Sequence, residues 1–148
     1  KNYGNPLPFR EHKTGVLICF EILFPDIARA FVVNGADILT TITNDAWFGR
    51  TSAPAQHFSI AVLRAVENRR SVVRAANTGI SGFIDPAGRI GATSGLFDTT
   101  SLSAAVPALT RPTFYSRFGD LLGMASLIAM SFYFMVKGIK KIMRRSEQ

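Results

Sequence analysis

The sequence predicts an α/β domain built on a parallel sheet, followed by one membrane-spanning helix. Three observations predict it. A short apolar strand, a helix opened by proline and closed by glycine, and a second β-rich strand succeed one another over residues 16–43, the order of a βαβ unit. Residues 121–136 read LLGMASLIAMSFYFMV, without one charged side chain. Hydrophobic residues make up 47% of the chain and charged residues 18%, which excludes a disordered chain. A mean hydropathy of +0.19 places part of that apolar content against lipid.

The elements follow in order. Val16-Leu17-Ile18-Cys19-Phe20 is a short apolar run after charged residues, the pattern of a buried strand. Pro25-Asp26 opens a helix, because proline suits the first turn. Ile27, Ala30, Phe31 and Asn34 give it one mostly apolar face, and Gly35 stands where a C-cap glycine belongs. Residues 37–43 are β-rich and end at Asn44-Asp45, a second strand. Ser52 to Pro54 break the chain before a longer helix, on which Phe58, Ala61, Val62, Ala65 and Val66 share a face. Residues 72–76 form a third strand, ended by Asn77-Thr78-Gly79, where Asn77 is expected to take a positive φ. Residues 81–84 and 89–92 flank the turn Asp85-Pro86-Ala87-Gly88 as a hairpin. Residues 102–106 are expected to form a last strand.

A helix over residues 121–136 rises about 24 Å, and including Phe118, Gly119 and a snorkelling Lys137 brings it into the spanning range. Tyr115 and Tyr133 suit the two interfaces. Lys137, Lys140, Lys141, Arg144 and Arg145 stand against only Glu147, so most of the formal charge of +7 belongs to the tail. Such basicity argues for a membrane flank and against nucleic-acid binding. The expected organisation is a domain over 1–110, a linker over 111–117, a transmembrane helix over 118–137 and a basic cytoplasmic tail over 138–148.

One cysteine excludes an intramolecular disulfide and a multi-thiolate zinc site. No metal or cofactor is expected. Cys19 lies near the C-terminal end of a parallel strand, where α/β folds place their sites, and a helix begins soon after it. A thiol at such a turn has backbone N–H groups beside it that stabilise an anion. A base is less evident. His12 lies on a charged stretch, and His57 opens the second helix, where it caps or packs. Glu67 pairs with Arg64 or Arg74.

Several motifs in sequence carry a resemblance. Gly15-Val16-Leu17-Ile18-Cys19-Phe20-Glu21 with Phe24-Pro25 resembles the nucleophile segment of the nitrilase (carbon–nitrogen hydrolase) superfamily. Arg64-Ala65-Val66-Glu67-Asn68 and Arg74-Ala75-Ala76-Asn77-Thr78-Gly79-Ile80-Ser81-Gly82 resemble its later segment, and Asp85-Pro86-Ala87-Gly88-Arg89-Ile90 its closing hairpin. Within the superfamily, Thr43-Asn44-Asp45-Ala46-Trp47-Phe48-Gly49 followed by Gln56-His57-Phe58, with an apolar helix behind the domain, is most similar to the apolipoprotein N-acyltransferase family.

The resemblance implies the C-terminal part of an α–β–β–α sandwich followed by one transmembrane helix. It places the domain on the periplasmic side of a bacterial inner membrane. It implies a Glu–Lys–Cys triad in which the cysteine takes an acyl chain from a phospholipid as a thioester and passes it to the α-amino group of a diacylglyceryl-modified apolipoprotein. On this sequence Cys19 is the nucleophile and the Phe20 N–H an oxyanion donor. Glu21, Asn44, Trp47 and Phe48 line the pocket, and Glu67 supports it. The family's Glu and Lys precede the cysteine by more chain than Lys1 to Ile18 provides, so the chain is expected to be a fragment, inactive alone. The alternatives are an amidase or nitrilase using the same cysteine, and a non-catalytic membrane-tethered domain in which Cys19 is core.

Overall fold

The structure, a computed structural model, describes residues 4–146, with side chains over residues 4–138. Lys1 and the basic side chains of the expected tail beyond residue 138 lie outside the described residues. The chain forms two compact units, Lys1–Arg117 and Phe118–Gln148.

The first unit is a six-stranded sheet in the order β1-β2-β3-β4-β5-β6. Strands β2 (His12–Ile18), β3 (Ile38–Asn44) and β4 (Ser71–Asn77) run parallel at its centre. β1 (Leu7–Phe9), β5 (Gly82–Ile84) and β6 (Ile90–Thr93) pair antiparallel at the flanks. Helix α1 (Pro25–Val33) carries the chain from β2 to β3, and α2 (Ala53–Asn68) from β3 to β4. The helices touch one another over one face of the sheet. Leu17, Leu39 and Val72 point up from the strands to meet Ala28, Val32, Phe58, Ala61 and Ala65. Full burial of each leucine contributes roughly 2 kcal/mol.

Two local details hold this face together. Gly35 takes a φ of 96°, and its N–H bonds Val32 O at 3.0 Å while Ala36 N–H bonds Phe31 O at 2.9 Å. That pair closes α1 as a Schellman motif. Gly15 lets α1 lie directly on β2, since a Cβ there would stand 2.6 Å from Phe31 Cβ.

The opposite sheet face carries Thr14, Thr40, Val73 and Phe83, with Ala104 and Val106 laid against it. One helical layer on one sheet is half of the α–β–β–α order that the sequence resemblance implies.

Four expectations need correction. The cysteine strand ends at Ile18, and Cys19–Leu23 is a 3-10 turn. Residues 102–106 form no strand; beyond them, side chains take the main-chain carbonyls, as Ser71 Oγ does with Pro107 O at 2.6 Å. The positive φ in the third turn belongs to Thr78, at 60°, because Asn77 is still in β4. On α2 Phe58, Ala61 and Ala65 of the expected face are buried, but the buried surface widens to Pro54, His57, Arg64 and Asn68, and Val66 is left 48% exposed. β1, too short and proline-broken to register as a strand, forms an edge where Pro8 is tolerated.

The expected linker is strapped down. Arg70, 2% exposed, donates Nε–H to Ala36 O at 2.7 Å and Nη–H to the carbonyls of Thr110 and Arg111, each at 3.0 Å. Burial lowers its pKa, and the Asp37 carboxylate partly opposes that. Thr113 Oγ1 adds a bond to Glu67 O at 2.7 Å.

A short helix α3 (Phe114–Phe118) follows in the chain, and the second unit carries helix α4 (Leu121–Ser146). Residues Leu121–Gly138 are long and apolar enough to cross a membrane, rising about 27 Å. Asp120 Oδ1 accepts from Gly123 N–H at 3.0 Å, capping the first turn. Ser126 and Ser131 donate to the carbonyls of Leu122 and Leu127, both at 2.8 Å, so neither hydroxyl is left unmet on an apolar surface. Lys137 Nζ lies 5.0 Å from the Tyr133 ring centroid.

Candidate active site

The C-terminal ends of β2, β3 and β4 deliver three loops to one edge of the sheet, and Cys19 stands on the first. Its φ is 52°, in the left-handed region that a side-chain-bearing residue rarely occupies. The thiol is free and partly exposed. A strained turn between a parallel strand and a helical segment is the geometry of a nucleophile elbow. Glu21 holds that turn: Oε2 accepts from Ile18 N–H at 2.7 Å. The carboxylate read as a pocket lining is thus bonded to the backbone entering the elbow.

An aromatic wall is built around Phe20, the residue after the thiol. The Phe20 ring centroid lies 5.9 Å from Trp47 and 6.1 Å from Phe48. Trp47 and Phe48 sit on a 3-10 turn, Ala46–Phe48, directly after β3. Trp47 remains 72% exposed and Phe20 37%, so the wall presents apolar surface to solvent. Asn44 sits at the strand end below, its Oδ1 accepting from Ala46 N–H at 3.1 Å and from Asn77 Nδ2 at 3.4 Å. This ties the β3 loop to the β4 loop.

Beneath the wall lies a buried polar cluster. Asp45 Oδ2 accepts from Arg74 Nη2 at 2.7 Å. Asp45 Oδ1 meets Thr43 Oγ1 at 3.0 Å and His57 Nδ1 at 3.1 Å. The same Nδ1 lies 3.1 Å from Arg74 Nη2, so it donates to the carboxylate in one tautomer and accepts from the guanidinium in the other. Arg74 Nε also donates to Ile80 O at 3.1 Å, holding the β4 loop. Burial lowers the Arg74 pKa; Asp45 and, more weakly, Cys19 oppose that shift.

Glu67 pairs with Arg64 at 3.0 Å on α2, leaving Arg74 to Asp45. His12 instead lies 3.6 Å from Asp37 at the other end of β2, remote from the thiol in the strand direction.

Reading the sequence alone missed the Asp45–His57–Arg74 cluster. A signal for it existed. Strand alternation puts Arg74 on the same face as Val72, under the helices, and a guanidinium buried there requires a carboxylate.

With this geometry in place, similarity to known proteins is decisive. The sequence profile of the carbon–nitrogen hydrolase family matches residues 4–115. The chain belongs to the carbon–nitrogen hydrolase family. Its domain is similar to that of an amidase from Nesterenkonia sp. AN1, captured with acrylamide added to its active-site cysteine. That match has 25% identity and a TM-score of 0.50 over 62% of this chain and 38% of the amidase. A carbon–nitrogen hydrolase from Helicobacter pylori shares the fold at a TM-score of 0.54 and 17% identity, over 60% of this chain and 38% of its own.

Higher identity comes from curated sequences. The apolipoprotein N-acyltransferase of Geobacter metallireducens is 50% identical over 76% of this chain, and that of Shewanella oneidensis 44% over 74%. Apolipoprotein N-acyltransferase 1 of Treponema denticola is 41% identical over 97%, a match that necessarily runs into α4. The carbon–nitrogen hydrolase chain described here spans only 22%, 21% and 27% of those three relatives.

Proposed function

We propose that this chain supplies the nucleophile domain and one membrane anchor of an N-acyltransferase that completes bacterial lipoproteins. The carrying observation is the Cys19 elbow beside an exposed aromatic wall, on a chain that also holds a helix apolar enough to span a bilayer. A soluble amidase has no use for such a helix, whereas an enzyme drawing acyl chains from phospholipid works at the membrane. Similarity to the Treponema relative over 97% of the chain supports reading domain and helix as one functional piece.

The chemistry runs in two transfers. The Cys19 sulfur attacks the carbonyl carbon of a phospholipid ester, and the carbonyl oxygen becomes an oxyanion that the Phe20 N–H helps to hold. Collapse breaks the ester C–O bond, releases a lysophospholipid alcohol carrying the proton, and leaves an acyl thioester on Cys19. The α-amine of a diacylglyceryl-cysteine acceptor then attacks the thioester, an amide forms, and the thiol is restored. Trp47, Phe48 and Phe20 give the acyl chain apolar contact, and Asn44 and Glu21 shape the loops around it. The proton acceptor and the lysine that the family resemblance implies belong, in this reading, to sequence outside the matched portion of the relatives. The domain sits on the periplasmic side, and the basic stretch over 138–148 in the cytoplasm, following the positive-inside tendency.

The test uses the full-length protein carrying this sequence, reconstituted with phospholipid. Without acceptor, the Cys19 peptide should gain one acyl mass. A diacylglyceryl peptide should discharge it as amide faster than water discharges it as free fatty acid. Release as fatty acid at an unchanged rate with acceptor present would favour the amidase-type hydrolase instead.

A further inference from the structure

Asp45, His57 and Arg74 form a fully enclosed unit under the aromatic wall, and none of the three is used by the acyl-transfer steps above. His57 is 3% exposed and Asp45 and Arg74 each 2%. The imidazole leans on the residue that follows Cys19: its centroid lies 5.6 Å from the Phe20 ring and 6.3 Å from Phe48. Its other nitrogen, Nε2, is buried with no partner among the described residues. An unmet ring nitrogen costs roughly 1–3 kcal/mol, which a phenylalanine at this position would avoid. A histidine here therefore serves through what Nδ1 does, and Nδ1 is held between Asp45 Oδ1 and Arg74 Nη2, 3.1 Å from each.

Asp45 is fixed from every side. Thr43, His57 and Arg74 occupy its oxygens. Gly79 abuts it so closely that a Cβ there would stand 2.8 Å from Asp45 Cγ. Orientation thus passes along one line, from the Asp45 carboxylate to the His57 ring plane to the Phe20 ring.

We propose that His57, clamped by Asp45, is a positioning residue that fixes the Phe20 ring and through it the Cys19–Phe20 backbone that bears the sulfur and the oxyanion donor. The inference rests on the Cys19 acyl-transfer reading. A non-glycine residue held at φ 52° needs its surroundings to keep it there, and the ring beside it is the part of those surroundings that this unit controls.

The experiment is a double-mutant cycle in the full-length protein, reading acyl-thioester formation on Cys19 at saturating phospholipid. H57A should slow thioester formation about a hundredfold, the scale of a misplacement of about 1 Å, with KM for phospholipid unchanged. F20L should slow it similarly, and the H57A/F20L pair should be no slower than F20L alone. H57F, which keeps a ring against Phe20 but loses the clamp, should fall between wild type and H57A. Multiplying effects in the pair, or an H57F rate equal to H57A, would overturn the proposal. If H57A does not fold, the H57Q and H57F variants carry the contrast: H57Q, with the clamp's polar end but no ring, must be the slower of the two. A wild-type protein that forms no thioester contradicts the acyl-transfer reading itself. Thioester formed equally by wild type and the His57 variants contradicts only this inference.

Discussion

The Asp45 carboxylate and the Arg74 guanidinium meet at 2.7 Å with both side chains shut off from solvent. Removing either leaves an uncompensated charge in a low-dielectric interior, a loss of roughly 3–5 kcal/mol. R74M should therefore lower the unfolding temperature sharply. The D45N/R74M pair, which removes both charges, should recover part of the loss. Thermal unfolding of the purified full-length variants checks this.

Gly79 tests the same unit without touching a charge. Alanine there would drive into Asp45, so G79A should displace the carboxylate and slow thioester formation at least tenfold. At Gly15 the added methyl meets Phe31 between β2 and α1, far from polar chemistry. G15A should cost about 1–3 kcal/mol of stability by overpacking while molecules that remain folded keep near-normal turnover. Denaturant titration and single-turnover rates separate the two outcomes.

Arg70 makes the stretch after residue 107 part of the domain. R70M strands the Ala36, Thr110 and Arg111 carbonyls, a loss of roughly 3 kcal/mol. It should also open residues 107–113 to limited proteolysis, with the first cuts there in the variant and elsewhere in wild type.

The Asp85 carboxyl is held below the ordinary carboxylate range, first by its bond to the Arg89 side chain and then by backbone N–H groups. A group whose pKa falls on folding stabilises above its unfolded pKa and loses that contribution as pH drops through its folded pKa. The difference in unfolding temperature between wild type and D85N should thus be constant near neutrality. It should shrink as pH falls through and below the carboxylate range near pH 4.

What could be read from sequence follows from where the information is local. The βαβ run announced itself because the apolar strand, Pro25 and Gly35 each encode one decision of the backbone. The apolar part of helix α4, residues 121–136, was legible for the same reason, as an unbroken run; its continuation to Ser146 was not. Cys19 stood out by its place at a strand end, but its departure from the strand and its positive φ did not, because Cys19 and Phe20 are as apolar as the strand before them. The full width of the buried surface of α2 was hidden because it includes His57, Arg64 and Asn68, polar residues that periodicity assigns to solvent. They are buried because partners from other elements or their own helix meet them: Asp45 takes His57, Glu67 takes Arg64, and the Arg64 carbonyl takes Asn68. Pairings across distant positions are invisible to a pattern read along the chain. Residues 102–106 failed the other way: their composition suits a strand, yet no neighbouring strand pairs with them among the described residues.

The central claim is that Cys19 is a reachable nucleophile and not a core thiol. It is tested most directly by timing iodoacetamide alkylation of the Cys19 peptide, by mass spectrometry, in the native full-length protein and in a denatured control. The account predicts faster modification in the native protein, and protection by bound phospholipid. Modification that proceeds only on unfolding would contradict it.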